Sequence, residues 1–180
     1  MLIFIKAVRH VIKKDITTYE WNDGVYLSHM FLKDKYMSSG DFERIKARLV
    51  VSGDYVDPGS VGEVSSPTVN PITVMMMINI AAVEGMELSC HDIKWAFLIP
   101  EIDSVHEAMY IRIDPAVVEQ MVAVRPSWQR YVDDKGRIYL RLQKYLYGLP
   151  QASYQFNQFM DHRLKCMGFK AQAGDPCSFF

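Results

Sequence analysis

Cysteine is scarce in this chain and poorly spaced for structural work. Among 180 residues there are 3 cysteines, Cys90, Cys166 and Cys177. The number is odd and no Cys-x-x-Cys pair occurs, which argues against a disulfide framework or a structural zinc site and favours a reducing compartment. The 5 histidines are scattered, with no His-Glu-x-x-His pattern. A charge excess of either sign is also missing, since the formal net charge is −1. Free nucleic-acid-binding domains usually carry a basic excess, so bulk charge gives that class no support, although a local basic groove stays open. Long apolar runs are missing too. Met1-Leu2-Ile3-Phe4-Ile5 is interrupted at once by Lys6 and Arg9, so it is too short for a signal-peptide core or a membrane span. The expectation is a soluble intracellular protein, cytoplasmic or nuclear, with no membrane partner.

What the chain does have is an apolar share of 49%. That suffices for one domain with a real core, or for two small lobes. Residues 1–24 say little: Val11-Ile12-Lys13-Lys14 suits a short helix or an edge strand, and Asn22-Asp23-Gly24 a turn. The stretches 25–27 and 30–32, the turn Ser38-Ser39-Gly40-Asp41 and the β-rich 45–51 predict a β-hairpin with a basic return strand. Residues 52–66 read as a loop. Asn70 as N-cap, Pro71 in the first turn and Gly85 at the end predict a helix, with Ile72, Met75, Met76, Ile80 and Val83 as its core-facing stripe. The Met75-Met76-Met77 run is expected to pack in the core.

Further strands are predicted at 86–93, 109–113 and 138–142, with residues 116–130 ambiguous. Asp133-Asp134-Lys135-Gly136 reads as a turn. A last helix carries Phe156, Phe159, Met160, Leu164 and Met167 and ends at Gly168, and Cys177 to Phe180 begin another strand.

Asp92 is the residue that asks for an explanation. In the alternation of 86–93 it shares a face with Met86, Leu88 and Cys90, and an acid on an apolar strand face is costly unless paired or bound to a metal. The plain alternatives are a salt bridge to Lys94 or a strand that ends one residue earlier.

The words around Asp92 resemble a known pattern. His91-Asp92-Ile93-Lys94-Trp95-Ala96-Phe97-Leu98 is similar to the motif in which polymerase palms carry their first metal-binding aspartate. Three further segments follow the same family in order: residues 42–50, Met109-Tyr110-Ile111-Arg112, and residues 140–152 through Tyr147-Gly148-Leu149-Pro150-Gln151-Ala152. From about Val25 to Phe180 the chain resembles the copia-type retrotransposon reverse transcriptase, part of the Pol polyprotein. The resemblance implies an α+β fold, the fingers and partial palm of a right-hand polymerase, with a fingers hairpin over about 25–66, palm over about 67–180, and residues 1–24 unassigned.

It also implies two-metal nucleotidyl transfer with Mg²⁺. Asp92 is the expected catalytic acid and metal ligand, with the Ile93 carbonyl as a backbone ligand. Phe97, five positions after Asp92, is expected to block a ribose 2′-hydroxyl, the group that separates RNA from DNA; its alternative is core packing. Lys46 and Arg48 share a parity and are expected to meet the incoming triphosphate, or else to form a solvated strand face. Gln151 is expected beside the nucleotide sugar and templating base, or else is a polar residue at a helix start. The implied partners are an RNA/DNA primer–template, a deoxynucleoside triphosphate and the remainder of Pol: the rest of the palm, the thumb and RNase H. A virus-like particle in the cytoplasm is the implied setting of the intact element.

Tyr131-Val132-Asp133-Asp134 spells the tetrapeptide that carries the other catalytic acids of reverse transcriptases. It stands before the Leu-Pro-Gln segment instead of after it, and Lys135-Gly136-Arg137 follows where an apolar strand belongs. It therefore reads as an ordinary polar turn. The authentic hairpin is expected shortly after Phe180, so the expectation is a truncated domain with no meaningful polymerase activity by itself. A non-catalytic nucleic-acid-binding remnant, or an unrelated α/β protein with Asp92 in a salt bridge, are the competing readings.

Overall fold

The computed structural model describes residues 8–11, 16, 25–52, 62–102 and 108–180. Its centre is a five-stranded sheet. The strands are β1 (Val8–Val11), β2 (Val25–Tyr36), β3 (Phe42–Val51), β4 (Tyr110–Ile113) and β5 (Ile138–Leu142), in the order β1-β5-β4-β2-β3. β2 runs parallel to β4, and the other neighbours are antiparallel. The central pair explains the core. Ile111, Ile113, Ile138, Tyr139, Leu140 and Leu142 are fully buried, because these short β-branched and aliphatic runs are covered on both faces.

Two helical pieces fill the chain between β4 and β5, where the sequence pattern is ambiguous: the second of the three α-helices, α2 (Pro115–Val124), is followed by a 3₁₀ turn (Pro126–Tyr131). Pro115 and Pro126 each open a helical segment, the position where a missing N–H costs nothing. Val118 and Trp128 from these pieces pack into the main core. The predicted turn forms: the Gly136 N–H donates to the Asp133 carbonyl, and the Asp133 N–H to that of Arg137.

The predicted hairpin forms, but as a long arm. Only the start of β2 and the end of β3 are buried. Beyond them the two strands leave the core as an exposed two-stranded ribbon, closed by a turn in which the Met37 N–H reaches the Asp41 carbonyl.

The helix predicted from Asn70 to Gly85 is α1 (Pro71–Glu84). The Asn70 side chain accepts the Ile72 N–H, and Gly85 closes the helix at φ 65°. Its apolar stripe does not join the core. Met75, Met76, Met77, Ile80 and Val83 are all exposed, which corrects the expectation that the methionine run is core packing. Periodicity reports which face could be buried, and here only Ala81 of the helix is buried, while Met77 meets the Ser178 hydroxyl of the C-terminal hairpin at 4.0 Å.

The strand predicted at 86–93 is corrected as well. This segment has no strand partner among the described residues. Met86 and Leu88 therefore face solvent, and so does Asp92.

At the other end, α3 (Ala152–Cys166) is followed by a small hairpin of β6 (Ala171–Gln172) and β7 (Asp175–Phe179). Asp175 in β7 is only 3% exposed. Its carboxylate accepts the N–H groups of Asn70 and Cys177, which tethers β7 to the start of α1. These predicted elements, the Asn22-Asp23-Gly24 turn and most of the 52–66 loop, lie outside the described residues.

Candidate functional site

Asp92 sits on an extended, exposed segment and makes no ion pair with Lys94. The chain then turns sharply. Trp95 has φ 57° and is the one non-glycine residue with positive φ among those described, a conformation that costs free energy for any side chain with a Cβ. That turn leads into a single 3₁₀ turn, Ala96–Leu98, which swings Phe97 inward. The Phe97 ring meets Tyr147 at 4.9 Å between centroids and Phe156 of α3 at 6.3 Å, both edge-on. Phe97 is thus a half-buried ring at the margin of the core.

Gln151 precedes α3 and is 5% exposed. Its Nε2 approaches the Met109 Sδ at 3.6 Å, a weak acceptor. Its Oε1 is buried and has no hydrogen-bond partner. Gln151 stands at the start of α3, as its position in the sequence suggests, but its side chain makes no capping bond.

Lys46 and Arg48 are exposed on β3. The register settles their surroundings: Lys46 lies opposite Lys33, Arg48 opposite Phe31, and Arg44 opposite Lys35. Directly opposed residues share a face, so Lys33, Lys35, Arg44, Lys46 and Arg48 form one cationic row. Glu43 answers part of it, taking the Lys35 ammonium at 2.6 Å and lying 3.6 Å from Arg44. The Lys35 hydrogen bond holds the Glu43 carboxyl below its ordinary range. Met30, Leu32, Ile45 and Ala47 lie on the opposite face of the same ribbon.

One contact joins the root of this ribbon to the Gln151 segment. The Val51 N–H donates to the Tyr147 carbonyl at 2.8 Å. Gly148 then passes so near β3 that a Cβ on it would lie 1.9 Å from the Val51 carbonyl oxygen and 2.8 Å from the Val50 Cγ1. Only glycine fits there, and its φ of +93° requires glycine as well. Val50 has the parity of Lys46 and Arg48, so the Gly148 segment borders their row. At a rise of about 3.4 Å per residue, Arg48 stands roughly 10 Å and Lys46 roughly 17 Å out from Val51. The structure therefore gathers Phe97, Gln151 and the base of the Arg48 strand, leaving Lys46 farther out on the arm. In the sequence Tyr147 and Gly148 appear only as part of the 140–152 segment, with no role assigned to either.

Known proteins decide the family. The profile described as "Reverse transcriptase (RNA-dependent DNA polymerase)" matches residues 28–177. The chain belongs to the reverse transcriptase family. It is 30% identical over 149 residues to the "Retrovirus-related Pol polyprotein from transposon TNT 1-94" of Nicotiana tabacum, covering 81% of this chain and 10% of that protein. It is 25% identical over 146 residues to the "Retrovirus-related Pol polyprotein from transposon RE1" of Arabidopsis thaliana, covering 81% of this chain and 9% of the relative. This copia-type reverse transcriptase segment thus spans about a tenth of the length of those polyproteins. No solved structure matches it.

The Tyr131-Val132-Asp133-Asp134 tetrapeptide is built as a turn in this reverse transcriptase segment. The Asp133 Oδ1 accepts the N–H groups of Lys135 and Arg137, and its Oδ2 pairs with the Arg137 guanidinium at 3.0 Å. Burial opposes the Asp133 charge, but the Arg137 and Lys135 N–H groups and the Arg137 guanidinium outweigh it and hold the carboxyl below its ordinary range. An acid satisfied in this way is committed to structure. The two ions of a two-metal site need several converging oxygen ligands. Among the described residues no group of three His, Cys, Asp or Glu side chains is placed to hold a metal. Asp92 supplies one carboxylate toward such a site, and the described residues bring no second one to it.

Proposed function

We propose that this segment is the fingers and part of the palm of an RNA-directed DNA polymerase, and that it receives the deoxynucleoside triphosphate. Gln151 carries the proposal. A buried amide oxygen without a partner is costly in a finished fold, and this one lies in the segment that borders the cationic row of β3. An incoming nucleotide offers hydroxyl and base donors that would satisfy such an acceptor once the segment around Gln151 opens to it. Arg48 then meets the triphosphate first, with Lys46 farther out, and Phe97 bars a 2′-hydroxyl. Asp92, with the Ile93 carbonyl, would serve as one metal ligand in the intact enzyme, where magnesium supplies charge stabilisation for nucleotidyl transfer. Because the described residues furnish no second carboxylate there, the segment alone binds nucleotide and does not polymerise.

The test has two arms. Calorimetric titration with dATP and ATP in Mg²⁺ should show preference for the deoxy form, lost in Phe97→Ala; equal affinities would count against the reading. Primer extension on poly(A)/oligo(dT) with Mg²⁺ or Mn²⁺ should give no product. Robust extension abolished by Asp92→Ala would overturn the proposed inactivity.

The cationic row favours a second reading, a strand-binding remnant without catalysis. Cations at alternate positions along a ribbon suit a phosphate backbone. Binding to primer–template that weakens steeply with salt, and weakens further in Lys33→Glu with Lys46→Glu, would support it.

A further inference from the structure

We infer that Tyr147 and Gly148 form a positioning junction that sets the sugar-sensing ring and the phosphate-facing strand at a fixed distance from each other. The inference rests on the proposed nucleotide-binding role of Phe97 and Arg48. Three contacts define the junction. The Tyr147 ring supports Phe97 at 4.9 Å and 61°. The Tyr147 carbonyl takes the Val51 N–H at 2.8 Å. Gly148 lets the backbone close onto the β3 root, where a Cβ would fall 1.9 Å from the Val51 oxygen. Two adjacent residues therefore hold one element of the site by a ring and another by the main chain. Gln151 follows in the same short segment.

The physical consequence is a separable one. The ring contact acts on Phe97, whereas the main-chain contact acts on the root of the strand that carries Arg48. Phe97 itself has solvent on one side and is half-buried, so its ring keeps one orientation only while Tyr147 and Phe156 flank it. A 2′-hydroxyl filter works by steric exclusion, and a displacement of about 1 Å is enough to relax such a geometry. Removing the Tyr147 ring therefore loosens sugar discrimination and leaves phosphate recognition in place. Adding a Cβ at position 148 moves the strand instead and weakens phosphate recognition.

The experiment titrates the full chain with dATP, ATP and inorganic tripolyphosphate in Mg²⁺. Tyr147→Leu, which retains the carbonyl and apolar bulk, is expected to reduce the dATP-over-ATP preference at least fivefold with tripolyphosphate affinity unchanged. Tyr147→Phe should keep the preference. Gly148→Ala is expected to weaken all three ligands. A merely structural role for Tyr147 would lower all three affinities together with the melting temperature, and that result overturns the inference, as does a Tyr147→Leu chain with the preference intact. Should Gly148→Ala fail to fold, the Tyr147 pair still decides. If the unaltered chain binds neither nucleotide, the reading of the site itself fails and takes the junction with it.

Discussion

The Asp175 carboxylate accepts the backbone N–H of Asn70 at 2.9 Å, across 105 positions of sequence. With the Thr73 side chain and the Ser178–Met77 contact, this bond joins the C-terminal hairpin to the helix whose methionines lie exposed. The Asn70 N–H, then the Thr73 side chain, hold the Asp175 carboxyl below its ordinary range against a smaller opposing effect of burial. A depressed folded-state value means that the stabilisation is complete above the unfolded value, about 3.9, and is lost as pH falls through the lower folded one. Denaturant midpoints should therefore drop as pH is taken from neutral to about 3. Asp175→Asn should be less stable at neutral pH and lose less on acidification. Parallel curves for the two proteins would refute the assignment.

Asp133 and Asp134 are adjacent but should behave differently. Asp133→Ala removes three hydrogen bonds, from Lys135 and Arg137, in the turn before β5 and should cost about 1–3 kcal/mol. Asp134 is exposed, and Asp134→Ala should change stability by less than about 0.5 kcal/mol. Urea unfolding of the two variants checks this; equal effects would mean that the pair acts as a unit.

Asp92→Ala should leave the melting temperature of this chain nearly unchanged, within about 0.5 kcal/mol of stability. The reason is its exposure without an ion pair to Lys94. A loss of several kcal/mol would restore Asp92 to a buried, paired setting.

The α1 methionines should be replaceable. Met75→Lys with Met76→Gln exchanges good helix formers for good helix formers at exposed positions. Thermal stability should hold, and light scattering at high concentration should fall as the open apolar surface shrinks. A clear loss of stability would show that the stripe is covered in solution.

Local signals in the sequence were reliable where one segment decides its own conformation. Asn70, Pro71 and Gly85 bound α1 as their capping chemistry requires. The Asp133 turn follows from its own side chain, and the hairpin turn from residues 37–41. Alternation misled at 86–93 because period-two patterning names a face but not a partner. The methionine run misled for the same reason.

The residues of the sequence by themselves determined the family and its chemical inventory: an acid at Asp92, a ring at Phe97, an amide at Gln151 and cations at Lys46 and Arg48. Motifs of contiguous residues carry such information without reference to distant chain. Only the tertiary structure decided which of these come together. The parallel pairing of β2 with β4, the passage of Gly148 over the Val51 carbonyl and the edge-on meeting of Tyr147 with Phe97 all join residues far apart in sequence. Such contacts depend on close packing between separate elements, and no local pattern encodes the partner.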